Sequence, residues 1–300
     1  MRFIYLSMLF MFVFAVVFVS AAKPIEAGIP AHAKEIAPGH FYTGKFVEKG
    51  RTVEGYAFIT YGKSFAKPAD VCGDGKCSVD ERKSGSCPAD CTPDDPVNPP
   101  SDNQTLDTSG DSYSVGNAYC YNFTGAKWFN VEPYYIDTKN DEGLNPDVII
   151  EALEYSISEW EDATDGVMGN NMGVNVVGAA NEASRLRPGK YNNKNEVALG
   201  NVNTPGAIAV TYYWYYTDTG AMAEWDQVYD TVDFNWAFDG SPDKMDFLSI
   251  AIHEMGHTFG MLDLYYPACS LQTMYGYGSE GETDSRTLAL GDITGINILY

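Results

Sequence analysis

Basic residues are scarce in this chain: 19 Lys and Arg stand against 41 Asp and Glu, a net charge of −22 over 300 residues. Coulomb repulsion of that sign excludes nucleic acid and anionic lipid surfaces as natural partners. Histidine is scarcer still, at four. There is no second apolar run of spanning length after the first 22 residues, which excludes a multi-span membrane protein. There is also no C-x2-C pair, and therefore no zinc ribbon.

What is present bounds the class. A length of 300 residues with 45% hydrophobic content supports one sizeable domain plus a smaller one. Arg2 precedes an apolar run from Phe3 to Ala22 that ends in Ser20-Ala21-Ala22. This reads as an export signal cleaved before Lys23, or as an uncleaved membrane anchor. Either way the rest of the chain is expected outside the cytoplasm, secreted or anchored by residues 3–22. The only membrane contact expected is through that anchor. Six cysteines, an even number, agree with an oxidising compartment. Two N-x-T sequons stand at Asn103 and Asn122.

Five segments follow from composition: residues 1–22, signal or anchor; 23–70, a short N-terminal region; 71–91, Cys-rich; 92–112, linker; and 113–300, the main domain. In the second, "GHFYTGKF" and "VEGYAFITYG" read as strands around a turn at Glu48-Lys49-Gly50. That region is too small to bury much core alone; it is a pro-region, an accessory module or part of the main domain. In the third, Cys72, Cys77, Cys87 and Cys91 are expected to form a disulfide knot of unassigned pairing. Asp74, Asp80, Glu81 and Asp90 offer hard oxygen ligands for Ca²⁺ there. The segment resembles a small Cys-rich repeat, C-G-D-G-x-C…E…C-P-x-D-C, of exported microbial proteins. The linker is rich in Pro, Asp, Asn and Ser and has too little apolar content to offset the entropy of ordering.

The main domain reads as α+β. "KWFNVEPYYID" alternates like a strand. "NPDVIIEALEYSISEWEDA" begins with Asn145 as N-cap and Pro146 at the first helical position, and carries Ile149, Leu153, Ile157 and Trp160 at helical spacing. "GAIAVTYYWYY" and "AMAEWDQVYDT" are strands joined by a turn at Thr217–Gly220. A second helix begins between Ser241 and Asp246 and carries "HEMGH".

His253 and His257 stand at i and i+4, so both imidazoles project from one helix face, about 6 Å apart at the backbone. That suits two legs of a tetrahedral zinc site. Glu254 lies about 100° round the helix and can reach a water on the metal rather than the metal itself. Zinc lowers the pKa of such a water to roughly 7, and a carboxylate can take its proton as it attacks a peptide carbonyl. Gly260 can adopt the left-handed conformation that ends a helix. A turn there returns Asp263, the next ligand-capable side chain, to the metal. Glu280 and Glu282 are the rival third ligands. Cys120 and Cys269 are expected to pair and tie the loop beneath the site to the first strand; a link from one of them to the Cys-rich knot is the alternative.

H-E-x-x-H-x-x-G-x-x-D resembles the motif of the metzincin zinc peptidases, H-E-x-x-H-x-x-G-x-x-H followed by a methionine turn. Asp263 stands where most members have histidine, as in the snapalysin-like ones, and Met274 in "SLQTMYGYG" falls where the methionine turn lies. "KMDFLSIAIHEMGHTFGMLDL", "GAIAVTYYWYYTDTGAMAEWDQVYD" and "GDITGINILY" resemble the active-site helix, the substrate-aligning edge strand with its partner, and the C-terminal helix of microbial matrixin-like members.

The resemblance implies a twisted mixed sheet with an edge strand, an active-site helix, a methionine turn and a C-terminal helix, preceded here by the disulfide-rich module. It implies an exported zinc endopeptidase with His253, His257 and Asp263 as ligands and Glu254 as general base. Gly260 and Met274 would support the site, and structural Ca²⁺ would be an additional cofactor. The substrate would be a protein or peptide bound in extended form along the edge strand. Some members bring a tyrosine to the metal two residues after the methionine; that position is Gly276 here, flanked by Tyr275 and Tyr277. The P-R-C-G-x-P-D cysteine switch is absent. An exported binding or adhesion protein with a structural or inactive metal site is the reading from another class.

Overall fold

The computed structural model describes residues 25–63, 118–129, 133–140, 142–164, 174–177 and 186–300. The export segment, the Cys-rich segment with its four cysteines, and the linker with Asn103 lie outside the described residues. The strands are β1 (Ile25–Ala27), β2 (Lys34–Ala37), β3 (His40–Glu48), β4 (Arg51–Gly62), β5 (Tyr134–Asp137), β6 (Val174–Val176), β7 (Asn195–Val202), β8 (Ala207–Tyr216), β9 (Ala221–Asp230), β10 (Trp236–Ala237), β11 (Met245–Asp246) and β12 (Tyr277–Gly278). The helices are α1 (Pro146–Asp162), α2 (Phe247–Thr258) and α3 (Leu290–Leu299). Among the described residues, no helix is long and apolar enough to cross a membrane.

One sheet runs in the order β2-β3-β4-β8-β9-β7-β5-β6, with β1 beside β7 and β12 beside β4. Strands β5, β6, β7 and β9 are mutually parallel, and β8 returns antiparallel to β9. The mixed sheet with few helices is the expected α+β architecture. Parallel strands need both faces covered. One face packs on α1, α2 and α3 through Trp160, Trp225, Phe247, Ile252 and Phe259. The other carries a smaller core, in which Val210, Trp214 and Val228 meet Ile25, Val53, Ala57 and Ile59.

Local signals account for the helices. The Asn145 side chain accepts from the Asp147 N–H at 3.0 Å, with Pro146 opening α1. Ile149, Leu153, Ile157 and Trp160 are all buried. Asp246 caps α2 by accepting from the Ser249 N–H at 2.9 Å, and Arg286 pairs with the same carboxylate. Nearly every residue of α2 is buried, so it is a central helix rather than an amphipathic surface one. Among the described residues of "KWFNVEPYYID", Tyr134–Asp137 form β5. The Trp128 indole packs inward and donates to the Thr258 carbonyl at 2.9 Å.

The N-terminal region is not a separate unit. Lys49 and Gly50 both have positive φ, 49° and 81°, which closes a two-residue hairpin between β3 and β4. Strand β4 then pairs antiparallel with β8 from Val53–Tyr216 to Tyr61–Ala207. The strand expected at the sheet's edge, β8, therefore lies between β4 and β9. The hairpin covers that edge.

Helix α2 approaches its surroundings closely at Gly256. A β-carbon there would fall 2.3 Å from the Met274 sulfur and 2.6 Å from the Trp160 ring. Gly256→Ala is expected to destabilise the fold by about 1–3 kcal/mol through overpacking. A lowered urea midpoint with an unchanged slope is the measurement that checks it.

Candidate metal centre

The last turn of α2 and the loop after it build the site. Gly260 has φ +98°, and its N–H closes on the His257 carbonyl at 2.9 Å. A β-carbon on Gly260 would strike the Ala126 carbonyl oxygen at 2.4 Å, so both conformation and space require glycine. The chain reverses there and brings Asp263 back to the helix. Asp263 Oδ1 lies 3.1 Å from His253 Nε2 and 3.4 Å from His257 Nε2. All three residues are buried. They form the one group of three or more ligand-capable side chains found among the described residues.

The other ring nitrogens decide which way the imidazoles face. His253 Nδ1 is 2.7 Å from the Thr273 carbonyl, and His257 Nδ1 is 3.0 Å from the Met261 carbonyl. A carbonyl only accepts, so each Nδ1 carries the hydrogen and each Nε2 lone pair turns toward Asp263. His253 Nε2, His257 Nε2, Asp263 Oδ1 and Glu254 Oε1 are buried with no hydrogen-bond partner. Unpartnered buried acceptors at one point are what a bound cation satisfies. Two nitrogens and one carboxylate oxygen fit zinc with a position left open.

Burial pushes the His253 pKa down, but the Asp263 carboxylate more than offsets this and holds the imidazole up at about 9. Burial also works to raise the Asp263 carboxyl, yet His257 and His253 together hold it well below the usual carboxylate range. Without an ion, a proton therefore takes the cation's place.

Neighbouring side chains fix the ligands. Tyr265 donates to Asp263 Oδ2 at 3.0 Å. Its ring fills the space beside Gly276, where a β-carbon would fall 2.5 Å from it. Among the tyrosines of this loop it is Tyr265, rather than Tyr275 or Tyr277, that hydrogen-bonds a candidate ligand. Thr211 on β8 donates to Glu254 Oε2 at 2.5 Å, which leaves Oε1 buried without a partner. Met274 is fully buried beneath α2 against Gly256. Asp292 on α3 holds the methionine loop by accepting from the N–H groups of Thr273 at 2.7 Å and Met274 at 3.2 Å. Burial pushes the Asp292 carboxyl up to about 6, against those same hydrogen bonds.

The expected Cys120–Cys269 disulfide is formed, with Cα atoms 5.5 Å apart. The rival glutamates do not reach the site: Glu280 is exposed, and Glu282 pairs with Lys63 at 2.7 Å. The structural Ca²⁺ expected from the acidic composition finds no ligand set among the described residues. Glu224 and Asp226, both buried, are instead occupied by backbone N–H groups of Gly189, Asn192 and Lys194.

Sequence reasoning missed Thr211, Tyr265 and Asp292 as supports of the site, and Phe58 and His40 as neighbours. The Phe58 ring stacks on His257 with centroids 4.2 Å apart, and the His40 ring lies 4.3 Å from Phe58. Burial pushes the His40 imidazole down to about 4, so it is neutral at pH 7. Four of the residues missed lie in stretches quoted for their secondary structure alone, Asp292 in "GDITGINILY", Thr211 in "GAIAVTYYWYY", Phe58 in "VEGYAFITYG" and His40 in "GHFYTGKF".

A buried helix offering two imidazoles and a glutamate, with a carboxylate returned by a glycine turn, defines the class: a metal-dependent hydrolase centre. A family model described as matrixin, a peptidase family, matches residues 128–300. The chain belongs to that family, whose members are zinc metallopeptidases. No curated protein matches the chain.

Two outcomes are expected. Asp263→Ala loses stoichiometric zinc while Glu280→Ala keeps it, read by metal analysis after gel filtration. Zinc binding to the metal-free chain at pH 7 expels about one proton, and affinity rises about tenfold per pH unit up to the His253 pKa. Calorimetry in two buffers of different ionisation enthalpy reads that release.

Proposed function

We propose that the chain is an exported zinc endopeptidase that binds protein substrates in extended form. His253, His257 and Asp263 would hold the ion, and Glu254 would act as general base. The observation that carries this reading is the meeting of three buried ligand atoms, on His253, His257 and Asp263, next to a fully buried Glu254 whose Oε1 has no hydrogen-bond partner. A closed structural site has no use for that carboxylate.

Zinc held there supplies Lewis acidity, which makes water a nucleophile near neutral pH and polarises a carbonyl. The chain's own residues do the rest. Thr211 fixes Glu254 through one oxygen, so the other points in one direction. That oxygen takes the proton of the attacking water as its oxygen adds to the peptide carbonyl carbon. It then delivers the proton to the amine nitrogen that leaves when the C–N bond breaks. Tyr265 draws density from Asp263 Oδ2 by its hydrogen bond, which offsets part of the charge a carboxylate ligand adds to the ion. Arg2 with the following apolar run supports export. Strand β8 supports extended binding, since backbone pairing to an outermost strand recognises a peptide with little regard to its side chains.

The test is casein hydrolysis by the zinc-loaded chain and by Glu254→Gln, each intact and each nicked between residues 63 and 118. Glu254→Gln is expected to keep one zinc and lose at least about 100-fold in rate. A chelator is expected to abolish the wild-type activity. Undiminished cleavage by Glu254→Gln would remove the general-base role.

A further inference from the structure

All three candidate ligands depend on one loop. Between Gly260 and Gly276 the chain supplies the Met261 carbonyl that orients His257, the Asp263 carboxylate, and the Thr273 carbonyl that orients His253. The neck of the loop is closed by the Leu264 N–H on the Met274 carbonyl at 2.8 Å and by the Gly276 N–H on the Leu264 carbonyl at 3.0 Å. Beyond the neck the loop holds one short 3₁₀ helix, Pro267–Cys269, and reaches solvent at Leu271, 57% exposed. Exposed backbone with so little regular structure opens locally unless it is tied down.

The tie is the segment that opens the main domain. The Thr124 N–H donates to the Gly260 carbonyl and the Leu262 N–H donates to the Asn122 carbonyl, both at 2.9 Å, with Phe123 and Met261 paired between them. Cys120 of the same segment is bonded to Cys269, 149 positions away, in the one disulfide among the described residues. Residues 120–124 therefore grip the loop on both sides of Asp263, by hydrogen bonds before it and by a covalent bond after it.

That bond is within reach of small molecules. Cys120 and Cys269 line a cavity of about 290 Å³ whose wall also includes Asp263 and Tyr265. The space equals that of on the order of ten waters. Tyr119 and Asn122, both exposed, belong to the same lining, so the cavity opens to solvent. A small thiol can enter it. The two cysteines are only 5% and 7% exposed, too little for a protein reductant to dock on them directly.

We propose that the Cys120–Cys269 bond sets the zinc affinity of the site: a small thiol that enters the cavity and reduces the bond loosens the loop and weakens zinc binding, and oxidation restores the grip. The inference rests on the zinc reading above and adds its regulation; it does not depend on what the enzyme cleaves. One thiolate attacks a cysteine sulfur, the S–S bond breaks, and the other sulfur leaves as a thiolate that takes a proton. A second thiolate attacks the reductant's sulfur in the mixed disulfide and releases the remaining cysteine. Two electrons pass to the protein, and the two reductant thiols end as one disulfide. In the reducing cytosol the bond stays open, and in an oxidising medium it closes. An exported chain therefore holds zinc weakly where it is made and tightly where it is released.

Coupling between two sites is reciprocal. If the bond strengthens zinc binding tenfold, bound zinc favours the bond tenfold, which lowers its reduction potential by about 30 mV. A disulfide that only stabilises a fold which stays intact without it shows no such shift.

The test uses the full chain, as wild type and as Cys120→Ser with Cys269→Ser, in which the Cys-rich segment keeps Cys72, Cys77, Cys87 and Cys91. Zinc affinity is read by competition with a chromophoric chelator. The double variant is expected to bind zinc at least about tenfold more weakly, the range that loss of a ligand's supports produces. Amide hydrogen exchange is expected to quicken at residues 261–276 and to stay unchanged at residues 207–216 of β8, which places the loosening in the loop. The wild type is then equilibrated in glutathione redox buffers with and without saturating zinc, alkylated and mapped by mass spectrometry, so that Cys120 and Cys269 are scored apart from the other cysteines. Zinc is expected to lower their midpoint potential by about 30 mV or more.

If the double variant does not fold, the wild-type potentials decide. Equal zinc affinity in the folded variant, or a midpoint that zinc does not move, overturns the inference. So does faster exchange spread equally over β8 and the loop in a folded variant, since the bond then braces the whole fold. An oxidised wild type that binds no zinc removes the zinc reading itself, and the inference with it.

Discussion

The structure is organised around a small region where three buried ligand atoms face one another. Oδ1 of Asp263 lies 3.1 Å from Nε2 of His253 and 3.4 Å from Nε2 of His257, all three atoms are within 4.8 Å of one another, and none has another partner. Leaving such atoms unsatisfied away from water is costly. Only a positive charge placed among them offsets that cost. A proton on His253 does so in the metal-free chain, and a divalent ion does so more completely. The same demand explains why both Nδ1 atoms are committed to backbone carbonyls, since an imidazole free to rotate would present the wrong nitrogen.

The surrounding fold holds those atoms in place. Helix α2 is sunk into the core, where it can pass close to Met274 and Trp160 only because residue 256 has no side chain. The methionine loop is pinned from below by Asp292, a carboxylate costly to bury and retained because it satisfies backbone N–H groups that water cannot reach. Strand β8 contributes from the other side through Thr211. Glu254 is therefore the meeting point of helix and sheet, and its direction depends on both.

Covering β8 answers a second physical constraint. An outermost strand with unpaired N–H and C=O groups recruits any extended chain, including unfolded neighbours. The β3–β4 hairpin removes that liability, and Phe58 covers His257 at the same time. Protection of the edge and covering of His257 go together, because the strand that pairs with β8 also carries Phe58.

Helix caps, hairpin turn and metal motif were legible because each depends on residues a few positions apart. Asn145 before Pro146 specifies the start of α1, Lys49-Gly50 specifies a turn, and the i, i+4 histidines specify one helix face whatever the helix packs against. Even the return of Asp263 was readable, since only glycine at position 260 permits so tight a reversal there. The remainder was decided by tertiary structure. Residue 58 is an aromatic in a strand, 211 a threonine in a strand and 265 a tyrosine in a loop; nothing local distinguishes them from ordinary packing residues. They enter the site because strand pairing brings Phe58 beside Thr211 across 153 positions of sequence and lays both against α2. Sequence alone therefore determined which atoms can bind a metal. The packed sheet determined what orients them and what lies over them, because those contacts exist only once distant segments have been brought together.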